Sequence, residues 1–152
     1  MKLTIIAIGK KHESYVREGV EDFTKRINRY TPVEWILLPH AGADEEASRR
    51  MESRAISEKF NNSSVIVLLD ERGQAYDSPA LARHLEQWQT SGRDVVFVIG
   101  GAYGVDETLQ RRADYVWSLS QLVFPHQLVR LVLAEQLYRA CTIMRGEPYH
   151  HQ

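Results

Sequence analysis

The chain has 152 residues, a formal net charge of −1 at pH 7, and 43% hydrophobic and 26% charged residues. This length predicts one domain over 1–152 whose core needs no disulfide, in keeping with the single cysteine, Cys141. The charge excludes attraction of the whole protein to nucleic acid or to an anionic membrane, and no apolar run approaches the roughly 20 residues of a membrane span. The N-terminus has no secretory signal pattern, so we expect a soluble, cytoplasmic protein without a membrane partner.

Strands and helices alternate along the chain. In order, we predict strand 2–8, helix 12–30, strand 33–38, helix 44–60, strand 65–69, helix 78–89 capped by Ser78, strand 95–99, a short helix to Arg112, strand 115–119, and a helix from Pro125-His126 to about Met144. The runs 65–69 and 95–99 are apolar throughout, as in strands buried on both faces. The pattern predicts an α/β fold in which a parallel sheet is flanked by helices on both sides.

Ligands of such sheets bind beyond the carboxyl ends of the strands, here Leu69-Asp70, Gly100-Gly101 and Ser118-Leu119-Ser120. The glycine pair lets the backbone approach a ligand closely, although a purely structural turn explains it equally well. Gly-Gly-x-x-Gly is not the dinucleotide fingerprint and has no P-loop lysine, which disfavours a phosphate-bearing cofactor. No nucleophile elbow and no metal-ligand spacing of His or Cys is present, so we expect no metal.

The last predicted helix is apolar around most of its circumference. One face of a sheet would not cover that much apolar surface. It is either a central core helix or, as we prefer, one that also packs on a partner subunit. Three features near it each have two interpretations. Arg130 is a paired or solvated arginine or a functional one, His126 is a capping or core residue or a catalytic one, and the tail with Tyr149 and His150 is frayed or forms a lid.

Several segments together resemble the ribosomal large-subunit pseudouridine N3-methyltransferase family, small members of the SPOUT methyltransferases. The resemblance covers the whole chain and rests on motifs in the same order: Leu68-Leu69-Asp70, Gly100-Gly101-Ala102-Tyr103-Gly104, Ser118-Leu119-Ser120, Phe124-Pro125-His126, Leu128-Val129-Arg130, Glu135-Gln136-Leu137-Tyr138-Arg139-Ala140 and Pro148-Tyr149-His150. It implies a C-terminal trefoil knot, a homodimer and S-adenosylmethionine as cofactor. The implied substrate is a pseudouridine of 23S rRNA, methylated at N3 within the assembled 70S ribosome.

The resemblance also implies site residues. Those that would bind the cofactor are Leu69, Gly100, Gly101, Gly104, Ser120, Gln121, Leu122, Val123, Phe124 and Pro125. His126 or His150 would remove the N3 proton, Arg130 would stabilise the anionic base, and Tyr149 would stack on it. Two alternatives remain: a SPOUT methyltransferase acting on another RNA nucleotide, and a cofactor-free dimeric RNA-binding protein associated with the ribosome.

Overall fold

The computed structural model describes residues 1–151, in which strands and helices alternate as the sequence predicts. The elements are β1 (Leu3–Ile8), α1 (Ser14–Ile27), β2 (Val33–Leu38), α2 (Glu45–Ser57), β3 (Val65–Ala75), α3 (Ser78–Thr90), β4 (Val95–Ile99), α4 (Glu107–Arg112), β5 (Tyr115–Ser118) and α5 (His126–Met144).

The five strands form one parallel sheet in the order β2-β1-β4-β3-β5. Val95 of the central strand pairs with Leu3 of β1 on one side and with Val65 of β3 on the other. Every residue of β4 is buried, because neighbouring strands cover its edges and helices cover both its faces. The predicted parallel sheet is confirmed.

Helices cover the two faces of the sheet unequally. On one face, α5 packs against α1 and α3, and its Leu133 and Leu137 share a buried cluster with Phe97 of β4. On the other face, Ile56 of α2 and Leu109 of α4 enclose a smaller cluster. The chain therefore leaves β5 at one edge of the sheet and returns to its middle to form α5.

Two local predictions were wrong. Asp77, not Ser78, caps α3, since its side chain accepts a 2.8 Å hydrogen bond from the Ala80 amide. Strand β3 does not end at Leu69 but continues after an irregularity, beyond which Gln74 pairs with β5. The polar segment between these two pairings resembles a loop in sequence, and it forms the irregularity in the pairing of β3 with β5.

Candidate active site

A cleft of about 380 Å³ opens at the carboxyl end of the sheet. Its position follows from the parallel arrangement, which brings the carboxyl ends of the strands to one edge, and its size suits a small-molecule ligand. The ends of β3 and β4, the loop before α5 and the start of α5 form its walls, with Glu45 at one side. The lining residues in these segments are 68–72, 99–105, 117, 119–120, 122–124, 126 and 129.

The loop after β4 makes a tight turn at this cleft. The Gly104 amide donates to the Gly101 carbonyl at 3.0 Å, and Gly104 has a φ of +76°, in the left-handed region that favours glycine. Gly101 meets a different requirement, because a Cβ there would overlap the Glu52 carboxylate and lie 3.3 Å from its carboxyl carbon. Arg49 of α2 donates to the Tyr103 carbonyl at 3.0 Å. Helix α2 therefore fixes the turn from behind.

The loop between β5 and α5 forms the opposite wall. Ser118 Oγ donates to the Ser120 carbonyl at 2.9 Å, and Ser120 Oγ accepts from the Leu122 amide at 3.0 Å. These two bonds hold the loop in a local turn. Leu122 and Val123 are 70% and 79% exposed, so the loop presents apolar side chains at the mouth of the cleft.

Negative charge dominates the lining. Its carboxylates are Glu45, Asp70 and Glu71, whereas Arg72 is the one Lys or Arg among its residues. The Arg72 guanidinium bonds Asp70 at 2.8 Å and holds the pKa of that carboxyl below its ordinary value. This cation is therefore already paired with Asp70, and Glu45 is paired with Arg49 at 2.9 Å. Glu71 is then the one lining carboxylate without an ion pair within residues 1–151, and it gives the cleft a modest preference for a positively charged ligand over an anionic one.

His126 lies where α5 meets the cleft and contributes to its lining. The side chain is exposed at the cleft, but the protein around it still desolvates the imidazole and lowers its pKa from the ordinary 6.5. The charges of Arg130 and His40 lower the pKa further, whereas Glu71 and Glu52 oppose this. The side chain is therefore neutral at pH 7. A neutral imidazole at the wall of a cleft can accept a proton from a bound molecule.

Arg130 is completely buried and does not line the cleft. Its Nη2 donates to the carbonyls of Ile8 and Gly9 at 3.0 and 3.1 Å, and its Nη1 donates to the Lys11 carbonyl at 2.9 Å. Gly9 has a φ of +119°, and a Cβ there would lie 2.9 Å from Nη2. Arg130 thus secures the end of β1 and acts on the cleft through its charge near His126.

The C-terminal tail packs along α5 and does not line this cleft. Tyr149 donates to Glu135 at 2.7 Å, Arg139 donates to His150 at 3.2 Å, and the Arg139 guanidinium lies 4.7 Å from the Tyr149 ring centroid. At about 1.5 Å of rise per residue, Glu135 and Arg139 lie about 14 and 20 Å along the helix from His126. The tail therefore occupies the far part of α5.

The chain is similar in sequence to a known protein family. A family model described as "Predicted SPOUT methyltransferase" matches residues 1–150. The chain belongs to this family. The membership confirms the resemblance drawn from the motifs.

Individual SPOUT relatives align over the full length. A protein of Geobacter metallireducens named "Ribosomal RNA large subunit methyltransferase H" is 45% identical over 153 residues, with 99% of each chain covered. Another of the same name from Acetivibrio thermocellus is 42% identical over 158 residues, again with 99% of each covered. The structure of a probable methylase family protein from Haemophilus influenzae has a TM-score of 0.57 at 9% identity, covers 99% of this chain and 70% of its own, and shows similarity of fold alone.

The structure divides the predicted site residues of this SPOUT chain into two groups. The group at the cleft contains His126 and all the predicted cofactor ligands except Gln121 and Pro125. The second group lies elsewhere: Arg130 at the end of β1, and Tyr149 and His150 along α5. Roles for both groups remain predictions.

The sequence did not single out several residues of the cleft, among them Trp117, nor did it single out Glu52 behind the cleft. Trp117 lines the cleft, and its buried Nε1 has no hydrogen-bond partner within residues 1–151. Glu52 lies behind Gly101 on α2, a helix whose sequence is mostly polar. Its burial could have been predicted from the spacing of four between Ser48, Glu52 and Ile56. Residues at that spacing share one face of a helix, here the inward face of α2.

Residues 1–151 contain neither a candidate membrane span nor a cluster of metal ligands. No helix in that range has the length and apolar character needed to cross a membrane. Nor do three or more His, Cys, Asp or Glu side chains gather there as a metal site would require.

Proposed function

We propose that this chain is an S-adenosylmethionine-dependent methyltransferase that acts on large-subunit ribosomal RNA, at N3 of a pseudouridine of 23S rRNA in the assembled ribosome. The observation that carries the proposal is the cleft at which the Gly100-Gly101 turn and the loop from Ser120 to Phe124 face each other. Membership of the SPOUT family and the names of the full-length relatives support the reaction and the RNA class. A ribosomal substrate implies work in the cytoplasm.

The cleft fits the cofactor in both shape and charge. Leu69, Trp117 and Leu119 give it apolar walls for a flat adenine ring, and the glycine turn exposes backbone where side chains would obstruct. Its acidic lining suits a molecule that carries an ammonium and a sulfonium group. When bound, the cofactor supplies an activated methyl group. The residues that would hold it are Leu69 and the turn on one side and the Ser120–Phe124 loop on the other.

The chain's own groups must then orient the RNA base and remove its N3 proton. His126 is suited to accept that proton, directly or through a water molecule, because its lowered pKa keeps the imidazole neutral at pH 7. Arg130 positions this helix start against the end of β1 and helps to keep the imidazole neutral. Holding the two reactants in line supplies much of the acceleration expected of such a site.

We also propose that the active form is a homodimer in which the tail of one chain completes the cleft of the other. Tyr149 and His150 are held on the far part of α5, so they serve a cleft only if another copy brings its own cleft to them. Half-buried apolar residues on α5, among them Leu128 and Val132, offer a surface for this contact. Tyr149 would stack on the target base and His150 would orient it.

The predicted trefoil knot belongs to the same proposal. Its support is family membership together with the path of the chain, which leaves the edge strand β5 and returns between α1 and α3 as α5. The loop that lines the cleft lies within this return. A knot would therefore explain why a loop can form a rigid ligand wall.

Methyl transfer from labelled S-adenosylmethionine tests the function. Intact 70S ribosomes that lack the modification are compared with isolated 50S subunits and free 23S rRNA, and the labelled nucleotide is mapped. Label on N3 of one pseudouridine, only in the 70S particle, is the expected result. Label on a different nucleotide would assign another SPOUT specificity, and failure to bind the cofactor would indicate an RNA-binding protein instead.

Mixed dimers test the arrangement of the tail. Gly101→Val disables the cleft and His150→Ala disables the tail, so each variant alone should be inactive. If the tail acts on the partner, random mixing of the two should restore about a quarter of the activity, because half of the dimers then contain one intact site of two. No recovery would show that tail and cleft act within one chain.

A further inference from the structure

A basic loop, residues 9–13, follows β1 at the carboxyl end of the sheet. Lys10 and Lys11 are exposed in this loop, and neither ammonium group takes part in an ion pair within residues 1–151. Glu13 is the one carboxylate of the loop, so the segment keeps a net positive charge. Exposed cations that no carboxylate of the chain neutralises are available to an anionic partner.

The basic loop is fixed against the start of α5. Gln127 Nε2 and Arg130 Nη1 both donate to the Lys11 carbonyl, at 3.3 and 2.9 Å. Gln127 Oε1 accepts from the Glu13 amide at 2.9 Å. Gln127 directly follows His126, which lines the cleft. The backbone of the basic loop is therefore held in place beside the wall of the cleft that contains His126.

The other lysines of the chain lie elsewhere. Lys2 pairs with Glu34 at 2.8 Å. Lys25, near the end of α1, and Lys59, just after α2, are exposed and have no ion pair within residues 1–151. Helices that connect parallel strands run back across the sheet, so these two lysines lie at its amino end. They carry the same charge as the pair in the basic loop but lie away from the cleft.

An RNA base that enters the cleft brings its phosphates to the rim. The phosphates that flank a nucleotide cannot follow the base inside, because the unpaired carboxylate of Glu71 repels them there. The arginine of the cleft lining, Arg72, is already paired with Asp70. Lys10 and Lys11 are unpaired and lie on a loop fixed beside the cleft, so they can bind phosphates at its rim.

We propose that Lys10 and Lys11 bind the sugar-phosphate backbone of the RNA beside the nucleotide whose base enters the cleft. The inference rests on the proposed function and deepens it, since it assigns the contact that holds the RNA strand at the cleft. A lysine ammonium group is a compact point charge on a flexible stem, which suits phosphate oxygens. Such contacts position a strand without reading its sequence, and the base in the cleft supplies the identity.

Methyl transfer to 70S ribosomes that lack the modification tests this in the double variant Lys10→Gln/Lys11→Gln. At low salt the KM for ribosomes should rise about tenfold, and kcat at saturating ribosomes should not change, because the lost contacts bind RNA without taking part in the chemistry. The slope of log kcat/KM against log salt concentration should become shallower by about 2, roughly one for each lysine. The matched control, Lys25→Gln/Lys59→Gln, removes the same charge at the amino end of the sheet and should keep the wild-type KM and slope.

Two further measurements separate RNA binding from other effects. Glu13→Gln removes the carboxylate of the basic loop and should lower the KM for ribosomes, whereas damage to the loop would raise the KM in both loop variants. Calorimetric titration of Lys10→Gln/Lys11→Gln with S-adenosylmethionine should give the wild-type affinity, because the two lysines are assigned to RNA and not to the carboxylate of the cofactor.

The outcomes distinguish this inference from the proposed function. If the wild-type protein transfers no methyl group to ribosomes, the proposed function is wrong and the inference falls with it. If the wild type is active and the Lys10/Lys11 variant keeps its KM and salt slope, or if the Lys25/Lys59 control changes them equally, the assignment of the basic loop to RNA is wrong. A rise in KM in Glu13→Gln would also overturn it. Weaker binding of S-adenosylmethionine by the Lys10/Lys11 variant would assign the lysines to the cofactor instead.

Discussion

Replacing Arg130 by methionine separates a structural role of this residue from a catalytic one. The substitution retains much of the aliphatic volume but removes the donors that reach Ile8, Gly9 and Lys11. The bonds to Ile8 and Gly9 are buried, and each carbonyl left without a donor costs about 1–3 kcal/mol. The Lys11 carbonyl belongs to an exposed residue and can bind water instead.

The net loss of stability is smaller than this sum, because the substitution also removes a buried charge that is poorly solvated. Burial lowers the pKa of the Arg130 guanidinium for the same reason. We therefore expect the free energy of unfolding to fall by about 3 kcal/mol, within the range of about 2–6 kcal/mol for two buried carbonyls. Urea denaturation at one fixed protein concentration measures it, since the stability of the proposed dimer would depend on concentration.

Arg54→Met is the control for this experiment. Arg54 is 84% exposed and pairs with Glu58 at 3.6 Å, so its loss should cost less than about 0.5 kcal/mol. The reasoning would be refuted by a loss below about 1 kcal/mol in Arg130→Met together with abolished methyl transfer. That result would assign Arg130 a direct role at the RNA base.

Further predictions concern the cleft and the pH dependence. Gly101→Val should abolish cofactor binding measured by calorimetry while the chain stays folded by circular dichroism, because its side chain would displace Glu52; normal affinity would make the turn purely structural. Asp77→Ala should lower the free energy of unfolding by about 1 kcal/mol in urea and leave cofactor affinity unchanged, since it removes only a helix cap. The pKa values of His12 and His126 are lowered in the folded chain, so the unfolded chain takes up protons first as the pH falls below 6.5. The melting temperature should therefore be lower at about pH 5.5 than at about pH 7.5, and equal values would contradict the two directions.

The parallel sheet was predictable because its central strands are unambiguous. A run such as Val95–Ile99 has no polar residue, and only a strand covered on both faces accommodates it. The cleft followed from the same fact, since the carboxyl ends of parallel strands meet at one edge and Gly100-Gly101 stands at one of those ends. Boundaries were less certain, as the Asp77 cap and the continuation of β3 show.

Interactions between residues distant in sequence were beyond prediction. Glu52 lies on a helix with a weak apolar pattern, and only the packing of α2 behind Gly101 reveals that it is buried. The contacts of Arg130 cross more than 100 residues of sequence to reach backbone carbonyls, which carry no residue-specific signal. Similarly, the bond between Tyr149 and Glu135 requires the tail to fold back along α5.

The charge of the cleft bears on how the proposed enzyme treats RNA. Glu45, Asp70 and Glu71 line it, and arginines pair with the first two but not with Glu71. Glu52 lies directly behind it. A phosphate backbone would be repelled there, so only the base itself should enter, while phosphate contacts must lie outside the cleft or on the ribosome. A net charge of −1 gives the chain little general affinity for RNA. The substrate must therefore be recognised without phosphate contacts in the cleft and without a strong general affinity for RNA. Recognition of the shape of an assembled particle, which presents one base to the acidic cleft, meets both conditions.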